Sequence, residues 1–118
     1  MASGSAAAVI YHNPRCSTSR KTLDLLRDNG FEPTVVEYLK TPPSRAELAK
    51  MIRAAGIDVR TAIRKRESLY TELALDDAGD DELLDAMAKH PILIERPFVV
   101  TSKGTRLARP IDAVREIL

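Results

Sequence analysis

The order of the first three elements constrains this chain most. Ala7–Tyr11 (AAVIY) is a short apolar run that reads as a buried strand. Asn13-Pro14 breaks it. From about Ser17 the chain reads as helix, with Leu23, Leu25 and Leu26 apolar, and Asn29-Gly30 closes that helix. Pro33 then leads into Thr34–Leu39, a run rich in β-branched residues and read as a second strand. A strand, helix and strand this close in sequence cross over right-handed, so the two strands are expected to be parallel.

The rest of the chain completes an α/β pattern. After Thr41-Pro42-Pro43, Ser44-Arg45-Ala46-Glu47 is a capping box, and Leu48, Met51, Ile52 and Ala55 recur at helical spacing up to Gly56. Asp58 can cap a short helix carrying Val59, Ala62 and Ile63. Residues 67–79 read as short helical turns. Asp80 or Asp81 is expected to cap a helix with Leu83, Leu84, Met87 and Ala88 on one face, ending at His90-Pro91. Phe98–Thr101 reads as a strand, Ser102-Lys103-Gly104 as a turn and Thr105–Leu107 as the return strand. Pro110 suits the first turn of a last helix bearing Ile111, Val114 and Leu118. The expected order is therefore β-α-β, a helical block, then β-β-α. This is a thioredoxin-like layout, with a mixed, mostly four-stranded sheet, flanking helices and a helical insertion.

At 118 residues the chain is the size of one domain, read as a flexible leader over 1–6 and a single domain over 7–118. A formal net charge of +1 supplies no global field for nucleic acid or an anionic membrane, and neither is expected as a partner. The first residues lack a basic stretch before the apolar run, and no run approaches membrane-spanning length, so the expected location is cytoplasmic. One cysteine and two histidines without paired spacing give no expected metal site and no internal disulfide.

A lone cysteine is most often a small buried hydrophobe. Cys16 differs because it lies between the first strand and the first helix, in His12-Asn13-Pro14-Arg15-Cys16-Ser17-Thr18-Ser19-Arg20. Backbone N–H groups left unpaired at a helix start, and the helix dipole, favour a thiolate over a thiol, whose free pKa is about 8.5. Arg15, Arg20 and His12 can add positive charge, and the same N–H groups can seat an oxyanion. Two familiar thiol chemistries do not fit. A C-x-x-C dithiol needs cysteine at 19, where Ser19 stands, and a C-x-x-x-x-x-R phosphatase loop needs arginine at 22, where Thr22 stands.

The run His12–Arg20 resembles the H-N-P-x-C-x-x-S-R signature of the glutaredoxin-coupled arsenate reductases. Tyr38–Arg45 (YLKTPPSR), Ala62–Lys65 (AIRK), His90–Pro97 (HPILIERP) and Gly104–Pro110 (GTRLARP) align with that family in order, from residue 9 to 118. The resemblance implies Cys16 as nucleophile and His12 as the histidine that tunes it. It implies Arg64, Arg96 and Arg109, with Ser19, as oxyanion-binding residues, and Pro97 as the cis-proline beside the cysteine. Planar guanidinium groups suit a tetrahedral oxyanion.

The implied reaction reduces arsenate, or a similar small oxyanion, to arsenite. Glutathione is the co-substrate, glutaredoxin the partner, and no cofactor is bound; the expected state is a monomer. Ser17 replaces a glycine of longer relatives, and the chain stops at Leu118, so it resembles a short branch of the family. Two alternatives remain: a monothiol glutaredoxin-like thiol-disulfide oxidoreductase, and a non-enzymatic regulator similar to the Spx type, against which Ser19 argues.

Overall fold

The computed structural model describes residues 6–118, so the expected leader lies, but for Ala6, outside the described residues. Contacts divide the chain into two compact units. The first runs to Tyr38 and resumes with Arg96–Leu118; the second is Leu39–Glu95.

The first unit carries a four-stranded sheet. Its strands are β1 (Ala6–His12), β2 (Phe31–Glu37), β3 (Phe98–Thr101) and β4 (Gly104–Leu107), in the order β2-β1-β3-β4. β1 and β2 are parallel, as the crossover through helix α1 (Ser17–Asp28) requires, and β3 is antiparallel to both β1 and β4. This is the mixed sheet of the expected thioredoxin-like α/β fold. Alternation along β1 buries Ala8, Ile10 and His12 on one face. Ala8 and Ile10 pack there with Leu26 of α1, Val99, Ala108, Val114 and Ile117 in one cluster.

Register decides where the chemistry goes. Tyr11 lies opposite Phe98, and Phe98 opposite Leu107. The loop after β1, the Arg96-Pro97 segment before β3 and the Ala108-Arg109 segment after β4 therefore meet at one end of the sheet.

Several boundaries differ from the sequence expectation. β2 starts at Phe31 and ends at Glu37, so Pro33 lies inside the strand instead of before it, and Tyr38-Leu39-Lys40 is a turn. β2 is an edge strand, where a missing N–H is tolerated. β4 begins one residue early, at Gly104, which pairs with Thr101 at a φ of +148°. The last helix is a 3₁₀ segment over Ile111–Ile117, with Pro110 outside it as the cap. Three residues per turn line Ile111, Val114 and Ile117 on one side. Val114 and Ile117 are buried, whereas a 3.6-residue period points to Leu118.

The second unit is the helical insertion: α2 (Arg45–Ala54), α3 (Val59–Ala62), α4 (Ser68–Glu72) and α5 (Asp80–Lys89), with 3₁₀ turns at Leu75–Asp77 and Pro91–Leu93. α2 buries Leu48, Met51 and Ile52 and packs on α5, which buries Leu83, Leu84 and Met87. The cap of α5 is Gly79, one residue before the expected aspartates. The Gly79 N–H donates to Glu82, while Asp80, Asp81 and Glu82 complement the dipole in the first turn. No helix among the described residues is long and apolar enough to cross a membrane.

The capping box of α2 forms as read. The Glu47 N–H donates to Ser44 Oγ at 3.1 Å, and the Ser44 N–H donates to Glu47 Oε1 at 2.9 Å. Ser44→Ala is expected to cost about 1 kcal/mol of stability, measured by urea unfolding, because it orphans a helix-start N–H.

Candidate functional site

Cys16 is the N-cap of α1, with extended backbone angles, and its carbonyl accepts the Arg20 N–H at 3.0 Å. Asn13 shapes the loop in front of it. Its side-chain oxygen accepts the Arg15 N–H at 2.9 Å and its carbonyl accepts the Cys16 N–H at 3.0 Å. The sequence gives Asn13 a place in the H-N-P-x-C-x-x-S-R run and as a strand breaker, but not this turn-forming role. The missed signal is an asparagine two residues before a backbone donor, a common local turn. An Arg20 guanidinium N–H closes the loop from the helix side onto the Pro14 carbonyl at 2.9 Å.

The buried stripe of α1 is Ser19, Thr22 and Leu26, so two of its three positions are polar. Ser19 is fully buried, and its hydroxyl serves two neighbours. Its Oγ lies 2.7 Å from His12 Nδ1 and accepts the Asn13 N–H at 3.1 Å. The Ser19 side chain is thus turned inward, and its backbone N–H is what acts on the sulfur. His12 is linked to the cysteine's surroundings through Ser19. Burial is the main influence on the imidazole and lowers its pKa; Glu37 opposes this, and Arg27 and Arg20 reinforce it. The lowered pKa favours the neutral imidazole over the charged one.

Cys16 is partly buried, and burial pushes its thiol pKa up. The Ser19 N–H, the Arg96 guanidinium and the Thr18 N–H outweigh that, and the net shift is downward. The cation that lowers the thiol pKa most is Arg96, which comes from the far end of the sequence. Alkylation by iodoacetamide, followed against pH, should give an apparent pKa below that of a free thiol, with the reactive thiolate already enriched at pH 7. An apparent pKa at or above the free value would remove the thiolate from this account.

Arg96 and Arg109 enter from the far end of the sequence. An Arg109 Nη2 hydrogen faces Cys16 Sγ at 3.7 Å, and Arg109 Nε donates to the Arg96 carbonyl at 2.8 Å. Two Arg96 nitrogens, Nε and Nη1, are buried and make no hydrogen bond among the described residues. Buried guanidinium donors without an acceptor are costly and fit an anion. The Arg96-Pro97 peptide is cis, and so is Arg109-Pro110.

Arg64 belongs to the second unit, where it is 6% exposed. Its Nε donates to Glu67 at 3.1 Å and its Nη1 to Glu95 at 3.0 Å, and its backbone N–H donates to the Leu93 carbonyl at 2.7 Å. Two carboxylates already engage this guanidinium. The structure thus places Cys16, Ser19, His12, Arg96, Pro97 and Arg109 in one unit and Arg64 in the other.

The model of the ArsC family matches residues 11–117. This chain belongs to the ArsC family. Among ArsC-like relatives, "Arsenate reductase" of Rhizobium meliloti (strain 1021) is 62% identical over 111 residues, covering 92% of this chain and 79% of that protein. "Arsenate reductase" of Escherichia coli (strain K12) is 56% identical over the same shares. Among solved structures, "Arsenate reductase from Vibrio cholerae" superposes with a TM-score of 0.91 at 49% identity, covering 97% of this chain and 99% of that one. The ArsC match spans the Cys16 loop and both segments that carry Arg96 and Arg109.

Proposed function

We propose that this chain is an arsenate reductase in which Cys16 is the nucleophile and Arg96 and Arg109 hold the oxyanion. The observation that carries this reading is the pair of buried, unpartnered Arg96 nitrogens beside a sulfur whose pKa is lowered. A small tetrahedral anion would satisfy both nitrogens, and the similarity to arsenate reductases over 92% of the chain supplies its chemistry. Arg64 is proposed as a third oxyanion residue on the resemblance alone. In this reading residues 7–118 act as one functional domain, a monomer in the cytoplasm, where thiols stay reduced.

In the proposed reaction the Cys16 thiolate attacks arsenic, and one arsenate oxygen, protonated, leaves as water. The product is a Cys16–S–As(V) adduct. The Arg96 and Arg109 guanidinium groups offset the charge on the arsenic oxygens. Glutathione thiolate then attacks the Cys16 sulfur. The S–As electron pair passes to arsenic, which leaves as arsenite, and a Cys16–glutathione disulfide remains. A glutaredoxin thiolate takes the glutathione and frees Cys16. Overall, one arsenate and two thiols give one arsenite, one disulfide and water. The test is arsenite production by purified protein with glutathione and glutaredoxin. No arsenite above the protein-free control would refute the reading.

A further inference from the structure

A cavity of about 430 Å³ opens along α1, lined by His12, Pro14, Ser17, Arg20, Lys21, Leu23, Asp24 and Arg27. It lies within the size range of small-ligand sites, roughly 300–1,000 Å³. Pro14 and Ser17 bracket the nucleophile, two residues before it and one after, so the cavity begins beside the reacting loop. Cys16, Arg96 and Arg109 do not line it, so it is separate from the oxyanion residues.

The charges in its wall have a definite pattern. Arg20 and Lys21 are neighbouring cations on one turn of α1, Arg27 lies about two turns further on, and Asp24 stands between them as the single carboxylate. His12 also lines the cavity, and burial lowers its pKa, which favours the neutral imidazole. Such a wall suits a small ligand with more than one carboxylate and one ammonium group.

Glutathione has that composition: two carboxylates, one ammonium and a thiol near its middle. We propose that this cavity is the binding site of the reducing thiol, with Arg20, Lys21 and Arg27 the cations available to the carboxylates of glutathione, Asp24 the carboxylate available to its ammonium, and the Pro14–Ser17 rim the side from which the thiol reaches Cys16. The proposal rests on the arsenate-reductase reading, in which an external thiol must reach the Cys16 sulfur because the chain has one cysteine. It adds that the two substrates arrive on different residues: the oxyanion on the arginines around Cys16, the thiol on the α1 face.

The test uses full-length protein, with S-methylglutathione as an unreactive probe followed by calorimetry, and Lys21→Ala, Arg27→Ala and the double variant as comparisons. Arg20 is left alone because it holds the Pro14 carbonyl. Wild-type protein is expected to bind the probe with affinity that falls as salt rises. Each variant should weaken binding on the order of tenfold, the scale of one charge-assisted hydrogen bond. The KM for glutathione should rise in parallel, while the KM for arsenate stays unchanged. Unchanged probe affinity in the double variant overturns the proposal. So does a rise in the KM for glutaredoxin alone, which would make the cavity a docking site for that protein. An equal rise in the KM for arsenate would make the face a general anion attractor and also overturns it. Charge-dependent probe binding by a wild-type protein that makes no arsenite would leave the thiol site standing and remove the arsenate reading.

Discussion

Cys16→Ser should abolish arsenite production while the protein stays folded. Serine is nearly isosteric with cysteine, and Cys16 is partly exposed at a helix cap, so packing is barely disturbed. Serine is also a favoured N-cap residue, so α1 loses nothing at its start. What changes is the nucleophile: a hydroxyl is almost wholly protonated at neutral pH, and the Ser19 N–H and Arg96 that act on a thiolate have no anion to stabilise. Arsenite release should fall to the protein-free background, with an unchanged circular dichroism spectrum and midpoint of urea unfolding. Substantial residual turnover would mean that another group attacks arsenic.

The arginine variants should show the next largest effect. Arg96→Ala and Arg109→Ala are each expected to lower kcat/KM for arsenate by about 10²–10³, or ~3–4 kcal/mol, the scale for removing one preorganised charge-stabilising donor. Lysine should restore part of that loss, because an ammonium keeps the charge but not the planar paired contact. Reduction of a preformed Cys16–glutathione disulfide should respond far less, since no tetrahedral oxyanion is involved. Small, equal losses in both reactions would favour the glutaredoxin-like alternative. Arg64 needs a different measurement. Removing its guanidinium takes away the cation shared by Glu67 and Glu95, although Glu95 keeps Arg66 at 3.7 Å, so stability is also expected to fall. Arg64→Ala must therefore be read beside its unfolding curve, and Arg64→Lys is the fairer probe of oxyanion binding.

The sequence made much of this visible because the decisive signals are local. The parallel β1–β2 pair follows from strand-helix-strand spacing, the α2 cap from Ser44 and Glu47, and the position of Cys16 from the break at Asn13-Pro14. Non-local effects were less legible. Local composition points to Arg15 and Arg20 as the cations near the sulfur, but it could not show that the sheet register also brings Arg96 and Arg109 there. His12 read as a charge because its burial depends on which face of β1 packs under α1. The last segment read as an α-helix because apolar spacing of three and of four differ by one residue, and packing of Val114 and Ile117 decided between them. Pro33 read as a strand boundary because edge position is a property of the sheet.

The inward-turned hydroxyl of Ser19 bears on how the protein meets oxidants. The position that a dithiol enzyme gives to its second sulfur is filled by a fully buried group held between His12 and Asn13. The molecule therefore keeps no reserve of reducing equivalents between encounters, and it cannot shield an oxidised Cys16 by closing an internal disulfide. A sulfenic acid formed there by peroxide finds no second thiol in this chain to trap it as a disulfide, so an external thiol must do so before further, irreversible oxidation. Its working lifetime is then tied to the thiol pool around it, and depletion of that pool would both stall the protein and leave it exposed to permanent damage.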